Sequence, residues 1–226
     1  MVDALHAQLR TAILSGAQAP GTLLPSERNL AAQSGVNRQA VREALQRLRQ
    51  AGLVEIVQGE GVRVGNWRSD ATIAVLLDGV FRADGSLDPE IVSSLLRMRL
   101  IALTEAARRL ARQHSDEDVA VLRNFVAEMR AEPEDAPITP RFEVWGYIVD
   151  ACGNVAYRLA FNTQVAIAAR LEPEVLAFLA AGAKLIDEYE RLVEAIAAGD
   201  EAAAAVECDN ILGPASRLFG GAGGGS

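Results

Sequence analysis

Arg38, Gln39, Arg42, Gln46 and Arg49 fall on one side of a helix drawn through residues 38–50, and Val41, Ala44, Leu45 and Leu48 fall on the other. A guanidinium can bridge the two acceptors on a guanine edge, and arginine or glutamine can hold a phosphate. An Arg- and Gln-rich face backed by an apolar one is a surface that can read duplex DNA. The same pattern serves an ordinary amphipathic helix with a solvated front, so the neighbouring elements decide. Asn37 can cap this helix, and Ser26 and Gly35 bracket a shorter helix before it. After it, Ala51-Gly52 makes a break, and Leu53–Val57 and Val62–Val64 alternate as two strands joined at Gly59-Glu60-Gly61. With a first helix over residues 3–15, placing Leu5, Leu9, Ile13 and Leu14 on one face, the expected unit is a winged helix-turn-helix over residues 1–66.

The formal charge of the 226-residue chain is −8, which by itself argues against a nucleic-acid partner. Its distribution reverses that reading. Residues 1–66 hold seven arginines against five carboxylates, a net of +2, and the remainder holds fifteen basic against twenty-five acidic residues, a net of −10. A mildly basic module is therefore joined to an acidic one. Half of the residues are hydrophobic, enough for two cores, yet no run of about 18 apolar residues suggests a membrane span. The N-terminus has no apolar signal core, so a cytoplasmic protein is expected. Cys152 and Cys208 are far apart and in no metal-binding spacing, and the default is two reduced thiols packed as small hydrophobes. No Ser/His/Asp or Cys/His set and no phosphate loop occurs, so an enzyme is not expected.

Beyond Asn66 the pattern is helical throughout. Trp67–Phe81 reads as a connecting helix within a linker over residues 67–85, with a turn at Asp84-Gly85-Ser86. Residues 86–219 read as an all-α bundle: a long helix from Pro89 to His114, one from Ser115, a loop over 132–137, and helices over 139–151, 155–171, 173–198 and 201–212. Residues 220–226 (GGAGGGS) form a flexible tail. The fold class is mainly α, with a small β-wing on an N-terminal winged helix-turn-helix and a C-terminal helical effector domain.

The runs Gly21-Thr22-Leu23-Leu24-Pro25-Ser26-Glu27-Arg28-Asn29-Leu30-Ala31 and Gly35-Val36-Asn37-Arg38-Gln39-Ala40-Val41-Arg42-Glu43-Ala44-Leu45 closely resemble the signature of the GntR family of bacterial repressors. The resemblance implies DNA contacts from Arg28, Arg38 and Arg42, and from Gln58 and Gly59 at the wing tip. It places Asn37 where the family has a capping residue that also reaches phosphate. Gln39 stands where the family has threonine, which implies an altered base preference. Glu60 puts a carboxylate at the wing tip where many relatives are basic.

The helical half resembles the effector domain of the FadR subfamily, through LLRMRLIALTEAARRLA, Asp150-Ala151-Cys152-Gly153-Asn154 and YERLVEAIAAGD. Most members of that subfamily hold a metal through one Asp and three His. Here the corresponding positions carry Arg141, Trp145, Tyr189 and Ile211, so neither a metal nor another cofactor is expected. By the same resemblance Arg99 projects into the bundle, where a guanidinium can hold a carboxylate or phosphate; the alternative is a structural salt bridge to Glu105. Trp145, Tyr147 and Tyr189 either wall an apolar pocket or are core aromatics. Ser216, in Gly213-x-x-Ser216, echoes a pair near the ligand site of fatty-acid-responsive members, with Pro214 interrupting its helix. The expected protein is a homodimer on an inverted-repeat operator in double-stranded DNA. Its effector is expected to be an acyl-CoA, or else a small organic acid, and an effector-independent DNA-binding protein is the remaining alternative.

Overall fold

The computed structural model of the chain describes residues 2–72, 75–82, 84–131, 139–171 and 185–220. Two side-chain oxygens open the central helices of the first unit. Ser26 Oγ accepts the Asn29 amide at 3.3 Å and starts α2 (Glu27–Ser34), and Asn37 Oδ1 accepts the Ala40 amide at 2.8 Å and starts α3 (Arg38–Gln50). Each satisfies an amide that the helix itself leaves free. Gly35 closes α2 at φ 65°, a left-handed conformation that a side chain disfavours, and its N–H returns to the Ala31 carbonyl.

Together with α1 (Val2–Leu14), these helices bury Leu5, Leu9, Ile13, Leu30, Val41, Leu45 and Leu48 in one core. Each large aliphatic side chain so buried contributes roughly 1.5–3 kcal/mol, which fixes the apolar face of α3 inward and leaves its polar face to solvent. The wing is an antiparallel pair, β1 (Val54–Val57) with β2 (Gly61–Val64), in the register Val54–Val64, Glu55–Arg63, Ile56–Val62 and Val57–Gly61. Beside it lies an edge that the alternation pattern does not announce. Leu24 N–H bonds to the Val62 carbonyl and Val64 N–H to the Thr22 carbonyl, both at 2.8 Å, with Leu23 bridging Arg63. The stretch before α2 thus covers the free side of β2.

The expected connecting helix is not continuous. It is replaced by α4 (Trp67–Asp70) and α5 (Leu76–Gly79), with Ala71 extended at ψ 158° between them. The Asp70 carboxylate folds back on the Asn66 N–H at 3.0 Å and holds the first piece to one turn. Trp67, Ala71, Val75 and Leu76 then pack on the core of the first unit. Packing on that core replaces the unbroken helix. Gly52 explains the close approach: a Cβ there would meet the Asp70 carbonyl oxygen at 2.5 Å, and its φ is 75°. The chain divides into two compact units, Met1–Asp88 and Pro89–Ser226.

The second unit consists, among the described residues, of α6 (Pro89–Gln113), α7 (Asp116–Ala131), α8 (Thr139–Ala151), α9 (Val155–Ala168), α10 (Ile186–Ala197) and α11 (Glu201–Gly220). Ser115 and Asp118 open α7 reciprocally: Ser115 Oγ accepts the Asp118 amide, and Asp118 Oδ2 accepts the Ser115 amide. Helix α6 lies along α11 and also packs on α8, α9 and α10, while α7 packs on α8 and α10. Leu103, Leu110, Leu122, Trp145, Ile148, Leu192 and Ile196 are fully enclosed among them.

Two helix boundaries differ from expectation. Of the helix expected over 173–198, the described part runs from Ile186 to Ala197, and Leu185 before it leaves the helical region at ψ 54°; residues 172–184 lie outside the described set. The last helix does not stop before Pro214 but runs through it to Gly220. A proline inside a helix costs ~3 kcal/mol, partly through the hydrogen bond it cannot give. Here Asn210, whose carbonyl loses that bond, is exposed to water, and Ile211 and Leu212, just before the proline, are buried. The loop expected over 132–137 and all of the glycine-rich tail except Gly220 fall outside the described residues. Among the described residues no helix is long and apolar enough to cross a membrane.

Candidate functional site

The front of α3 is set by its back. With Val41, Ala44 and Leu48 at or near zero exposure, Arg38, Gln39, Arg42, Gln46 and Arg49 are held in solvent. Arg28 on α2, Asn37 at the head of α3, and Gln58 and Gly59 at the wing tip are exposed as well. A groove between α3 and the wing is lined by Glu27, Gln39, Arg42, Gln46, Ile56 and Val62. Of the residues expected to touch DNA, the structure gathers Gln39 and Arg42 in this groove; Arg28, Asn37, Arg38, Gln58 and Gly59 do not line it.

Five ion pairs, centred on three arginines, shape the charge of this surface. Arg42 Nε donates to Glu27 Oε2 at 2.8 Å, a bond across the helix-turn-helix that uses one edge of the guanidinium. Arg47 is tied to Asp3 at 2.8 Å and Glu43 at 2.6 Å, and bonding to Asp3 first and Glu43 second raises its pKa. Glu60 pairs with Arg63, and Glu55 lies 3.8 Å from the same arginine. The carboxylate at the wing tip is therefore neutralised within the wing. All of these pairs are solvent-accessible, and such pairs contribute ~0.2–1 kcal/mol each to stability. Their larger consequence is which cations remain available to a phosphate.

In the helical unit Trp145 and Tyr189 form the centre of the core, at 0% and 1% exposure. Trp145 Nε1 donates to the Tyr189 hydroxyl oxygen at 2.9 Å, and the rings meet edge to face with centroids 6.0 Å apart. Burial raises the Tyr189 pKa, and the positive charges of Arg99 and Arg141 oppose that rise together with the Trp145 hydrogen bond. Arg99 is half-buried; desolvation lowers the pKa of its guanidinium, and the nearby Tyr189 phenol opposes that. No ion pair joins Arg99 to Glu105 among the described residues.

Tyr147 lies on another face of α8. Its hydroxyl donates to Asp118 Oδ1 at 2.8 Å and its ring meets Phe125 edge-on, so it serves the start of α7 rather than the Trp145–Tyr189 pair. Burial first, and then the bond to Asp118, push its pKa up to about 12. Ser216 is half-buried on α11, and no hydrogen bond links it to the group around Tyr189. Near it, Gly213 faces the Arg217–Asp209 pair, which a Cβ at that position would strike at 2.5 Å. Both cysteines are buried; burial pushes the Cys208 thiol up to about 12, so it stays protonated and inert. Among the described residues no three His, Cys, Asp or Glu side chains cluster as metal ligands.

Sequence reasoning missed Glu27 and Arg141. Glu27 lies 15 residues from Arg42, and only the turn between the helices brings them together. Arg141 did carry a signal: it precedes Trp145 by four residues on α8 and so shares its face.

Comparison with known proteins covers both units. A family described as "Bacterial regulatory proteins, gntR family" matches residues 2–64, and the FCD domain matches residues 94–213. The chain is 36% identical over 210 residues to the HTH-type transcriptional regulator Mce2R of Mycobacterium tuberculosis, covering 91% of this chain and 85% of that one. It is 30% identical over 181 residues to a fatty acid metabolism regulator protein of Enterobacter, covering 80% and 74% respectively. Among solved structures, Lar of Listeria monocytogenes aligns over 98% of this chain and 97% of its own, with a TM-score of 0.57 at 15% identity, a likeness of fold.

Proposed function

The chain belongs to the GntR family of bacterial regulatory proteins, with an FCD domain behind its reading head, and we propose that it is a ligand-responsive repressor acting as a homodimer on an inverted repeat. It is a transcriptional regulator and not an enzyme. The observation that carries the DNA-binding role is the two-sidedness of α3: an apolar back locked into the core and a front of Arg38, Gln39 and Arg42 in solvent. A single recognition helix reaches only a few base pairs, too few to define an operator among competing sites. Two heads related by a two-fold axis double the sequence read, and their half-sites mirror that symmetry. Arg28, Asn37, Arg38, Gln39 and Arg42 serve the major groove and its phosphates, and Gln58 and Gly59 the wing contact.

The effector binds in the helical unit around Arg99, Trp145 and Tyr189. An acyl-CoA is the favoured class, supported by the likeness to fatty acid metabolism regulators at 30% identity. A half-buried Arg99 with no carboxylate partner among the described residues suits the anionic groups of such a ligand and suits a small organic acid equally. An effector that binds one arrangement of the dimer ~100-fold better than the other shifts the balance by about 2.7 kcal/mol. The regulator works in the cytoplasm, where both DNA and coenzyme A thioesters are found.

Fluorescence anisotropy with an operator recovered by in vitro selection tests the head. Arg42→Ala is expected to weaken binding at least ~10-fold, one bidentate base contact being worth about 1–3 kcal/mol. Unchanged affinity removes α3 from the interface.

A further inference from the structure

Among the described residues, the groups that act on the Tyr189 hydroxyl are donors and cations, apart from the buried Cys208 thiol. The Tyr189 oxygen accepts from Trp145 Nε1, which leaves its own O–H to donate outward. Arg141 precedes Trp145 by four residues on α8 and shares its face, α6 with Arg99 packs on α8, and the positive charges of both arginines act on that hydroxyl. Arg141 Nε is buried and has no hydrogen-bond partner, and neither arginine is in an ion pair with any described residue. This contrasts with the arginines on the outer faces of the bundle. Arg123 meets Glu194, Arg130 meets Asp187 and Glu190, and Arg191 meets Glu188 and Glu207. Buried charges are ordinarily paired, because an unpaired one loses its hydration with nothing in return. A guanidinium cannot escape by losing its proton at neutral pH.

We propose that Arg99, Arg141 and the Tyr189 hydroxyl form a seat for one oxyanion, a carboxylate or phosphate group of the effector, with Arg141 as its second guanidinium. The inference rests on the effector reading above and deepens it by naming the chemical group recognised and a residue that recognises it. Two guanidiniums fit an oxyanion because each presents parallel N–H donors to paired oxygens, and the phenol adds a third direction. Trp145 acts through Tyr189 as a positioning residue: by donating to the phenol oxygen it turns the Tyr189 proton away from itself and leaves it to donate to a ligand. In the unliganded protein the seat is an unfavourable concentration of like charge. That makes anion binding and stability oppose one another at position 141.

The test uses the full chain and thermal denaturation, with isothermal titration for affinities. The probes are palmitate, methyl palmitate, palmitoyl-CoA, coenzyme A and citrate. Stabilisation by palmitate or citrate, but not by methyl palmitate, identifies a carboxylate; stabilisation by coenzyme A and palmitoyl-CoA together identifies a phosphate. Either result is expected to weaken at least ~10-fold in Kd in Arg141→Met, as when one partner of a buried charge pair is removed. Without ligand, Arg141→Met is expected to melt at a higher temperature than the wild type, because the unpaired charge has gone. Arg141→Lys keeps the charge but loses the fork, and is expected to retain the lower melting temperature and bind weakly.

Equal stabilisation of the wild type by palmitate and its methyl ester overturns the oxyanion seat while leaving an effector site in place. Unchanged anion affinity in both variants does the same, as does a lower apo melting temperature in Arg141→Met, which assigns the arginine to the core. No response of the wild type to any probe overturns both the seat and the effector reading.

Discussion

The guanidinium of Arg42, in the middle of the exposed face of α3, is held from behind by Glu27 of the preceding helix, Nε to Oε2 at 2.8 Å. That bond occupies one edge of the fork and leaves the outer N–H groups free. The carboxylate therefore orients the arginine before DNA arrives and subtracts one unit of charge from the surface. The pair is exposed, 62% and 39% for the two side chains, so its effect on folding is small.

Glu27→Ala is expected to lower affinity for a selected operator by about 3–10-fold, the ~1 kcal/mol scale of a pre-organised exposed contact, while affinity for unrelated duplex stays level or rises. Competition anisotropy measures both. A parallel fall on operator and unrelated DNA would show that Glu27 supports the fold of the head and does not orient Arg42.

At the wing, Arg63 is engaged by Glu60 and lies near Glu55. Glu60→Gln releases Arg63 and removes a carboxylate from the tip. The expected outcome is tighter binding and a steeper salt dependence, by about 0.9 in the slope of log K against log salt if Arg63 gains one phosphate. Titrations across salt concentrations settle it: an unaltered slope means that the wing does not approach the backbone.

Asp118 receives the Ser115 amide and hydroxyl and the Tyr147 hydroxyl, and these bonds, the backbone one first, hold its carboxyl below its ordinary range. A lowered folded pKa means stability that is present above the unfolded value and lost as pH falls through the folded one. Asp118→Ala is expected to cost about 1 kcal/mol at neutral pH, the usual worth of a helix cap. The gap between variant and wild type should close as the pH is taken below the ordinary carboxylate range. Urea midpoints at a series of pH values measure this; a gap that persists in acid would place the loss in packing.

Much of the head was legible because its determinants are local. Ser26, Gly35 and Asn37 act on residues within four positions, and the period of Val41, Ala44, Leu45 and Leu48 declares the buried side of α3. What escaped depends on distance or competition. Glu27–Arg42 and the bridge from Leu23 to Arg63 join residues 15 and more positions apart. The segment after Asn66 has a helical pattern, but Trp67, Ala71, Val75 and Leu76 gain more by docking on the first core than an unbroken helix offers. Pro214 is a strong local stop, yet the last helix runs through it to Gly220, the lost bond falling on the water-exposed Asn210. In the bundle, the aromatics at positions 145, 147 and 189 look alike in sequence. Only the hydrogen bonds separate Tyr147, bound to Asp118, from the Trp145–Tyr189 pair.

The contact of Gly52 with Asp70 and Ala71 bears on how this protein should be cut and joined. Anyone building a hybrid sensor, with this reading head grafted onto a foreign receptor, would be drawn to splice just after the wing, at Asn66. That cut strips Trp67, Ala71, Val75 and Leu76 from the head and leaves the backbone of Gly52 bare where another strand of chain belongs. The natural seam is at Asp88, where the first unit ends, and a transplant made there carries its own closing piece with it.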